Sequence, residues 1–182
     1  MRDDASSAGR RLPDPATTAR VAIAFALAAS VAIIATALLF QYVGGHRPCA
    51  LCHWQRYPYV AAVPLALVGL ALPRGRAAIL LLLAMAFATV AGLALYHVGV
   101  EQKWWLGPAS CGAAGFPGAQ TLEQIKAALL RTPILRCDTP SWSLFGVTMA
   151  GYNLALAAAL TVVTAGAAWR ALLSSPEQGA AR

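Results

Sequence analysis

The sequence predicts an all-α membrane protein, a four-transmembrane-helix bundle with two loops on its outer side, and three observations carry that prediction. Hydrophobic residues make up 59% of the 182 positions and charged residues only 12%, with a mean hydropathy of +0.61, far from the balance of a water-soluble domain. Four long apolar stretches follow one another along the chain, separated by more polar segments. All four cysteines lie in those separating segments and none lies inside a stretch.

Taken in order, a tail over 1–20 leads to the first stretch, 21–43, which meets the roughly 20 apolar residues that a span needs. It exceeds the roughly 7 to 15 residues of a secretory h-region and has no clear small-residue cleavage site after it, so it is expected to stay as an anchor. A loop over 44–56 precedes the second stretch, 57–72, which is short for a span without its flanks and carries Pro64, a predicted kink. The turn "PRGR" at 73–76 joins it to the third stretch, 77–96. A long segment over 97–143 follows, then the fourth stretch, 144–169, and a tail over 170–182. Within the long segment, "GPASCGAAGFPGA" has the Gly, Pro and Ala content of a mobile loop. After it, 121–130 sets Leu122, Ile125, Leu129 and Leu130 against Glu123, Gln124 and Lys126, the pattern of a short amphipathic helix, on the membrane surface or packed on the bundle. Small residues at spacing four, Ala84, Ala88 and Gly92 in the third stretch and Gly151, Ala155 and Ala159 in the fourth, are expected to let helices approach, with Asn153 as a hydrogen bond inside the bundle. No internal repeat and no room for a soluble domain are evident, so 1–182 is expected to form one domain.

Charge sets the expected orientation. Four spans place both termini and the 73–76 turn on one side, with Arg2, Arg10, Arg11, Arg20, Arg74, Arg76, Arg170 and Arg182. Arg47, Arg56, Lys103, Lys126, Arg131 and Arg136 are spread over the longer segments of the other side. The denser side is the cytoplasmic one by the positive-inside rule, so the net charge of +7 reads as a topology signal and gives no reason to expect nucleic acid. Aromatic residues Tyr42, Trp54, Tyr57, Tyr59, Tyr96, Trp104, Trp105 and Trp142 gather near the outer ends of the spans. They form an interfacial belt, or in part the wall of a pocket for a planar, lipid-soluble ligand.

Cys49, Cys52, Cys111 and Cys137 then face an oxidising compartment, where an even number of cysteines is first a set of disulfides. Three pairings are open; Cys49 and Cys52 are close enough for a local redox pair, and the other two close a longer loop. Cys52 stands where the first outer loop turns into the second span, with Arg56 four residues on and on the same helical face. A helix N-terminus and a cation both favour a thiolate, so Cys52 is expected to be reactive; the lesser alternative for Arg56 is an anchor of the helix in the headgroups. "CALCH" also fits c-type haem attachment through His53, with Met149 or His97 as a distal ligand, but this leaves Cys111 and Cys137 without a role. Zinc is disfavoured because the second pair lacks compact spacing.

The stretches "CALCHWQRYPY", "YHVGVEQKWWLGPASC" and "CDTPSWSLFGVTMAGYN" together resemble the DsbB family of bacterial disulfide bond formation proteins, across both outer loops and the starts of the second and fourth spans. The resemblance implies an inner-membrane thiol:quinone oxidoreductase that takes electrons from a reduced periplasmic DsbA-like thiol oxidase and passes them to ubiquinone or menaquinone, and so to the respiratory chain. It implies catalytic roles for Cys49, Cys52, Cys111 and Cys137: Cys111 in a mixed disulfide with the partner, Cys137 then pairing with Cys49, and the freed Cys52 thiolate lying against the quinone until Cys49 attacks its sulfur. By the same resemblance Arg56 and His97 would bind the quinone, with Arg56 also stabilising the thiolate. The rival classes are a membrane-anchored c-type cytochrome and a non-enzymatic scaffold stapled by disulfides. A vitamin K epoxide reductase-like enzyme would order its cysteine pairs differently.

Overall fold

The computed structural model describes residues 14–108, 111, 121–123 and 136–174. They form four helices and one short hairpin. Helix α1 is Pro15–Tyr42, α2 Ala50–Ala71, α3 Arg76–Glu101, and α4 Met149–Leu173; strands β1, Ser143–Leu144, and β2, Val147–Thr148, immediately precede α4.

Local chemistry places each helix end. Pro15 opens α1, where its missing N–H costs nothing. Cys49 caps α2, its sulfur accepting from the Cys52 N–H, and Thr148 caps α4 by accepting from Gly151 N–H. At the other end of α2 the chain turns extended at Leu72 before Pro73, and Gly75, at φ 100°, makes the left-handed step that starts α3. Strands β1 and β2 pair antiparallel, Ser143 with Thr148 and Leu144 with Val147, through a two-residue turn in which Phe145 and Gly146 both have positive φ, as a tight hairpin needs.

Several element bounds differ from those expected. Helix α2 begins at Ala50, so Cys52, His53 and Arg56 are helical instead of belonging to a loop over 44–56. Helix α3 runs on to Glu101 and takes in His97, which was placed in the second loop. The expected start of the fourth span at 144 is the hairpin, and α4 starts at Met149. Helix α2 continues through both Pro58 and Pro64. Most of the expected surface helix, 124–130, and most of the loop at 107–119 lie outside the described residues, as do 1–13 and 175–182.

Helices α1, α3 and α4 are each long and apolar enough to cross a membrane. Each helix packs mainly on its neighbours in sequence, α3 against α4 most extensively, whereas α1 and α4 touch less. The buried stripe of α2, Leu51, Gln55, Tyr59, Ala62, Ala66 and Gly69, follows the three-and-four spacing of one helical face. It meets Ala19, Ala22, Ile23 and Ala26 of α1 and Leu80, Leu83, Phe87 and Val90 of α3. The small-residue ridges named above only partly serve this contact. Ala84 is buried, but Ala88, Gly92, Ala155 and Ala159 are exposed. Helix α4 instead buries Ala150, Ala157, Leu160, Thr164 and Ala168, on a different face from Ala155 and Ala159. Close approach is required at Gly69, where a Cβ would stand 2.7 Å from Ile79 Cγ2 and 3.1 Å from Ile23 Cδ1.

Candidate active site

At one end of the bundle a second cluster of buried residues joins Cys49, Leu51, Val100, Cys111 and Cys137. Cys111 and Cys137 form a disulfide, while Cys49 and Cys52 are free thiols. Of the pairing that joins Cys49 to Cys52 and Cys111 to Cys137, this state thus contains only the second bond. The Cys111 carbonyl accepts from Cys137 N–H at 3.3 Å, which ties the two strands of the loop together. Beside Cys137, Arg136 holds Asp138 through two hydrogen bonds of 2.9 and 2.6 Å, and that guanidinium draws the Asp138 carboxyl down to about 2.

Two donors converge on the Cys49 sulfur, the Cys52 thiol at 3.1 Å and the Cys52 N–H at 3.4 Å, and the His97 ring approaches it through Nε2 at 3.6 Å. Cys49 precedes α2, and its thiol is held well below the ordinary thiol range. The hydrogen bond from Cys52 is the largest cause and burial opposes it; His97 adds a second hydrogen bond and, when its ring is protonated, a charge. In this state the negative sulfur is therefore Cys49, whereas the sequence pointed to Cys52. The difference is geometric: as cap of α2, Cys49 receives the donor of the helix end, and Cys52, one turn in, supplies it. Cys49 Sγ, a His97 ring nitrogen and Cys137 Sγ all lie within 4.8 Å of one another. The free pair and the disulfide thus face each other across about the distance that thiol exchange has to close.

His97 is 4% exposed and belongs to a buried polar chain. Tyr59 O–H donates to Asn153 Oδ1 at 2.9 Å, Asn153 Nδ2 to Gln55 Oε1 at 2.6 Å, and Gln55 Nε2 lies 2.9 Å from His97 Nδ1. Glu101 stands one turn beyond His97, its Oε1 3.8 Å from Nε2 and its Oε2 accepting from Thr148 Oγ1 at 2.6 Å. Sequence reasoning missed Gln55 and Glu101. The available signal was a polar side chain at helical spacing from a residue already singled out, Gln55 three after Cys52 and Glu101 four after His97. Tyr59, assigned to the aromatic belt, is a core residue at 1% exposure.

Arg56 donates to Gln41 Oε1 at 2.6 Å and to the Ala37 carbonyl at 3.4 Å, fastening α2 to the C-terminal part of α1. Next to it a cavity of about 720 Å³ opens between α1 and α4. Cys52, Arg56 and His97 line one end of it together with Phe40, Trp142 and Tyr152. Its walls continue along α1 through Ile33, Ala29 and Phe25 and along α4 through Leu156, Ala159 and Val163. Phe40 meets Trp142 edge to face at 5.3 Å, and of the aromatic residues grouped in the sequence Tyr59 and Trp142 line the cavity. His53 is exposed and is not part of this lining.

Comparison with known proteins places this geometry. The family model described as disulfide bond formation protein DsbB matches residues 19–167. The chain belongs to the DsbB family. It is 30% identical over 155 residues to disulfide bond formation protein B of Burkholderia ambifaria, covering 77% of this chain and 83% of that protein. It is 33% identical over 128 residues to disulfide bond formation protein B of Haemophilus influenzae strain Rd, covering 66% and 69%. An uncharacterized protein of Rickettsia prowazekii, RP370, is 27% identical over 128 residues, covering 70% and 74%. No solved structure matches the chain. Membership of the DsbB family together with three membrane-crossing helices makes this a multi-pass membrane protein of disulfide bond formation, and a disulfide-generating oxidoreductase.

Proposed function

We propose that this DsbB-family protein reoxidises a DsbA-like periplasmic thiol oxidase and delivers the electrons to a membrane quinone, ubiquinone or menaquinone, and through it to the respiratory chain. The protein is one domain of four spans in the bacterial inner membrane, with α2 as the fourth span, the termini in the cytoplasm and the cysteines in the periplasm. The observation that carries this function is the meeting of a free dithiol and a disulfide, Cys49 within 4.8 Å of Cys137, at the mouth of an apolar cavity open along two apolar helices.

The residues fit a quinone. The cavity is mostly apolar along α1 and α4, and Cys52, Arg56 and His97 stand together in its lining. A bound quinone supplies an acceptor for two electrons and two protons. Arg56 would orient its ring oxygen, and Cys52 would present its sulfur to the ring. On the partner side, a thiolate of the reduced oxidase attacks Cys111, the Cys111–Cys137 bond breaks and Cys137 leaves as thiolate. The partner's second thiol then displaces Cys111, so the partner leaves with a disulfide and the Cys111/Cys137 pair holds two electrons. Attack of Cys137 on Cys49 of an oxidised Cys49–Cys52 pair forms a Cys49–Cys137 bond and frees Cys52. Cys111 then attacks Cys137, which restores the first disulfide and leaves Cys49 and Cys52 reduced, the state described above.

The test is to mix the purified protein with reduced DsbA-like protein and a soluble quinone, following thiol loss and quinone absorbance together. One quinone should be consumed for every two thiols lost, Cys52→Ser should stop quinone consumption and Cys111→Ser should stop partner oxidation. Turnover at the wild-type rate in either variant would refute the relay.

A further inference from the structure

We infer that Tyr59, Asn153 and Gln55 are positioning residues whose hydrogen-bond chain fixes His97 as the tautomer protonated on Nε2 and aims that N–H at the Cys49 sulfur. An amide beside an imidazole is ambiguous by itself, since Gln55 can donate through Nε2 or accept through Oε1. The polarity is decided at the two ends of the chain. At the far end the Tyr59 hydroxyl is buried and, among the described residues, has Asn153 as its only hydrogen-bond partner. Its proton must go to an acceptor, so Asn153 presents Oδ1 to it and Nδ2 to Gln55. Gln55 then presents Oε1 to Asn153 and Nε2 to His97, and Nδ1 of the ring can only accept.

The near end agrees independently. His97 Nε2 faces two acceptors, the Cys49 sulfur at 3.6 Å and Glu101 Oε1 at 3.8 Å. The reversed chain would set a bare ring lone pair against both of them and leave the Tyr59 proton buried without a partner, two penalties at once. Residues from α2, α3 and α4 thus cooperate to give a neutral ring a fixed donor, and that donor stabilises the negative sulfur beside Cys137. The advantage over a freely tautomerising ring is that the N–H is aimed before exchange begins, so no proton has to be rearranged when Cys49 gains or loses its bond.

This deepens the relay proposed above and rests on it for its part in turnover, whereas the tautomer itself is measured with neither quinone nor partner present. The protein is prepared with 15N-histidine in a Cys52→Ser background, in which a serine hydroxyl still donates to Cys49, and His97 is assigned by its loss in His97→Gln. Nitrogen shifts should show an unprotonated Nδ1 and a protonated Nε2. In Asn153→Leu, which suits an apolar bundle, the Gln55 amide is free to turn, both tautomers should appear, and alkylation of Cys49 by iodoacetamide at fixed pH should slow roughly tenfold. Helical circular dichroism and melting establish that the variant is folded, and if it is not, the wild-type shifts alone decide. A protonated Nδ1 in the wild type overturns the inference, as do unchanged shifts and an unchanged Cys49 rate in a folded Asn153→Leu. If the tautomer is as inferred but quinone is never consumed, the relay fails and the positioning chain stands.

Discussion

Cys49 shows how much one residue's position on a helix can decide. A sulfur at the cap collects an N–H that a sulfur one turn later cannot, and here the neighbouring thiol and His97 add to it. A thiol held below its ordinary range keeps its charge as the pH falls, so the folded-state stabilisation from Cys49 is fully present above the unfolded thiol's pKa and is lost as pH falls through the lowered folded value. In Cys52→Ser, where Cys49 is the one free thiol, the pH profile of alkylation should have its midpoint below the roughly 8.5 of a free cysteine. His97→Ala should move that midpoint up by about one unit or more. A midpoint at or above the free-cysteine value would remove Cys49 as the charged sulfur. The sequence displayed the four cysteines, Arg56 and His97 as chemistry-bearing, yet it could not say which sulfur of the first pair holds the charge. That depends on where α2 begins, and the apolar stretch begins seven residues after Ala50 does.

At the scale of elements, the helices were legible because apolar length is written directly in composition, and their ends were not, because polar residues at a span's end can stay helical when they bond to another helix. Gln55 and Arg56 extend α2 and His97 and Glu101 extend α3 in this way, each tied to a different element. The packing face was misjudged for a related reason. Small residues at spacing four occur on more than one face of an alanine-rich helix, and only the partner's bulk selects among them. Gly69 is a position where the selection is tight, with α1 and α3 both against it. Gly69→Val should therefore wedge α2 away from Ile23 and Ile79 at a cost of about 1 to 3 kcal/mol, read as a lower melting temperature in detergent. The same change at Gly92, exposed and with open space for a Cβ, should leave the melting temperature almost unchanged. Equal effects at both positions would mean that the helices do not pack as described.

For the whole molecule, what matters is that α1 and α4 meet less closely than the other neighbouring helices, so the bundle is packed on three sides and hollow on the fourth. The hollow runs from the buried thiols into the apolar depth, while the Cys111–Cys137 disulfide and the hairpin before α4 lie at its polar end. If the two ends serve two electron carriers, a change deep in the hollow should affect one carrier alone. Ala159, exposed on α4 and lining the cavity, is well placed for this, because it stands further along α4 than Asn153, between Leu156 and Val163 of the apolar wall. Ala159→Trp should narrow the cavity and raise the apparent KM for a long-chain quinone roughly tenfold or more, with a smaller effect on a short-chain analogue. Transfer of two electrons from the reduced partner to the Cys111–Cys137 disulfide, in a single turnover without quinone, should keep its wild-type rate, because exchange at Cys111 does not involve this depth. A matching loss in both half-reactions would show the bundle itself disturbed, and an unchanged KM for the long-chain quinone would place the acceptor outside the groove between α1 and α4.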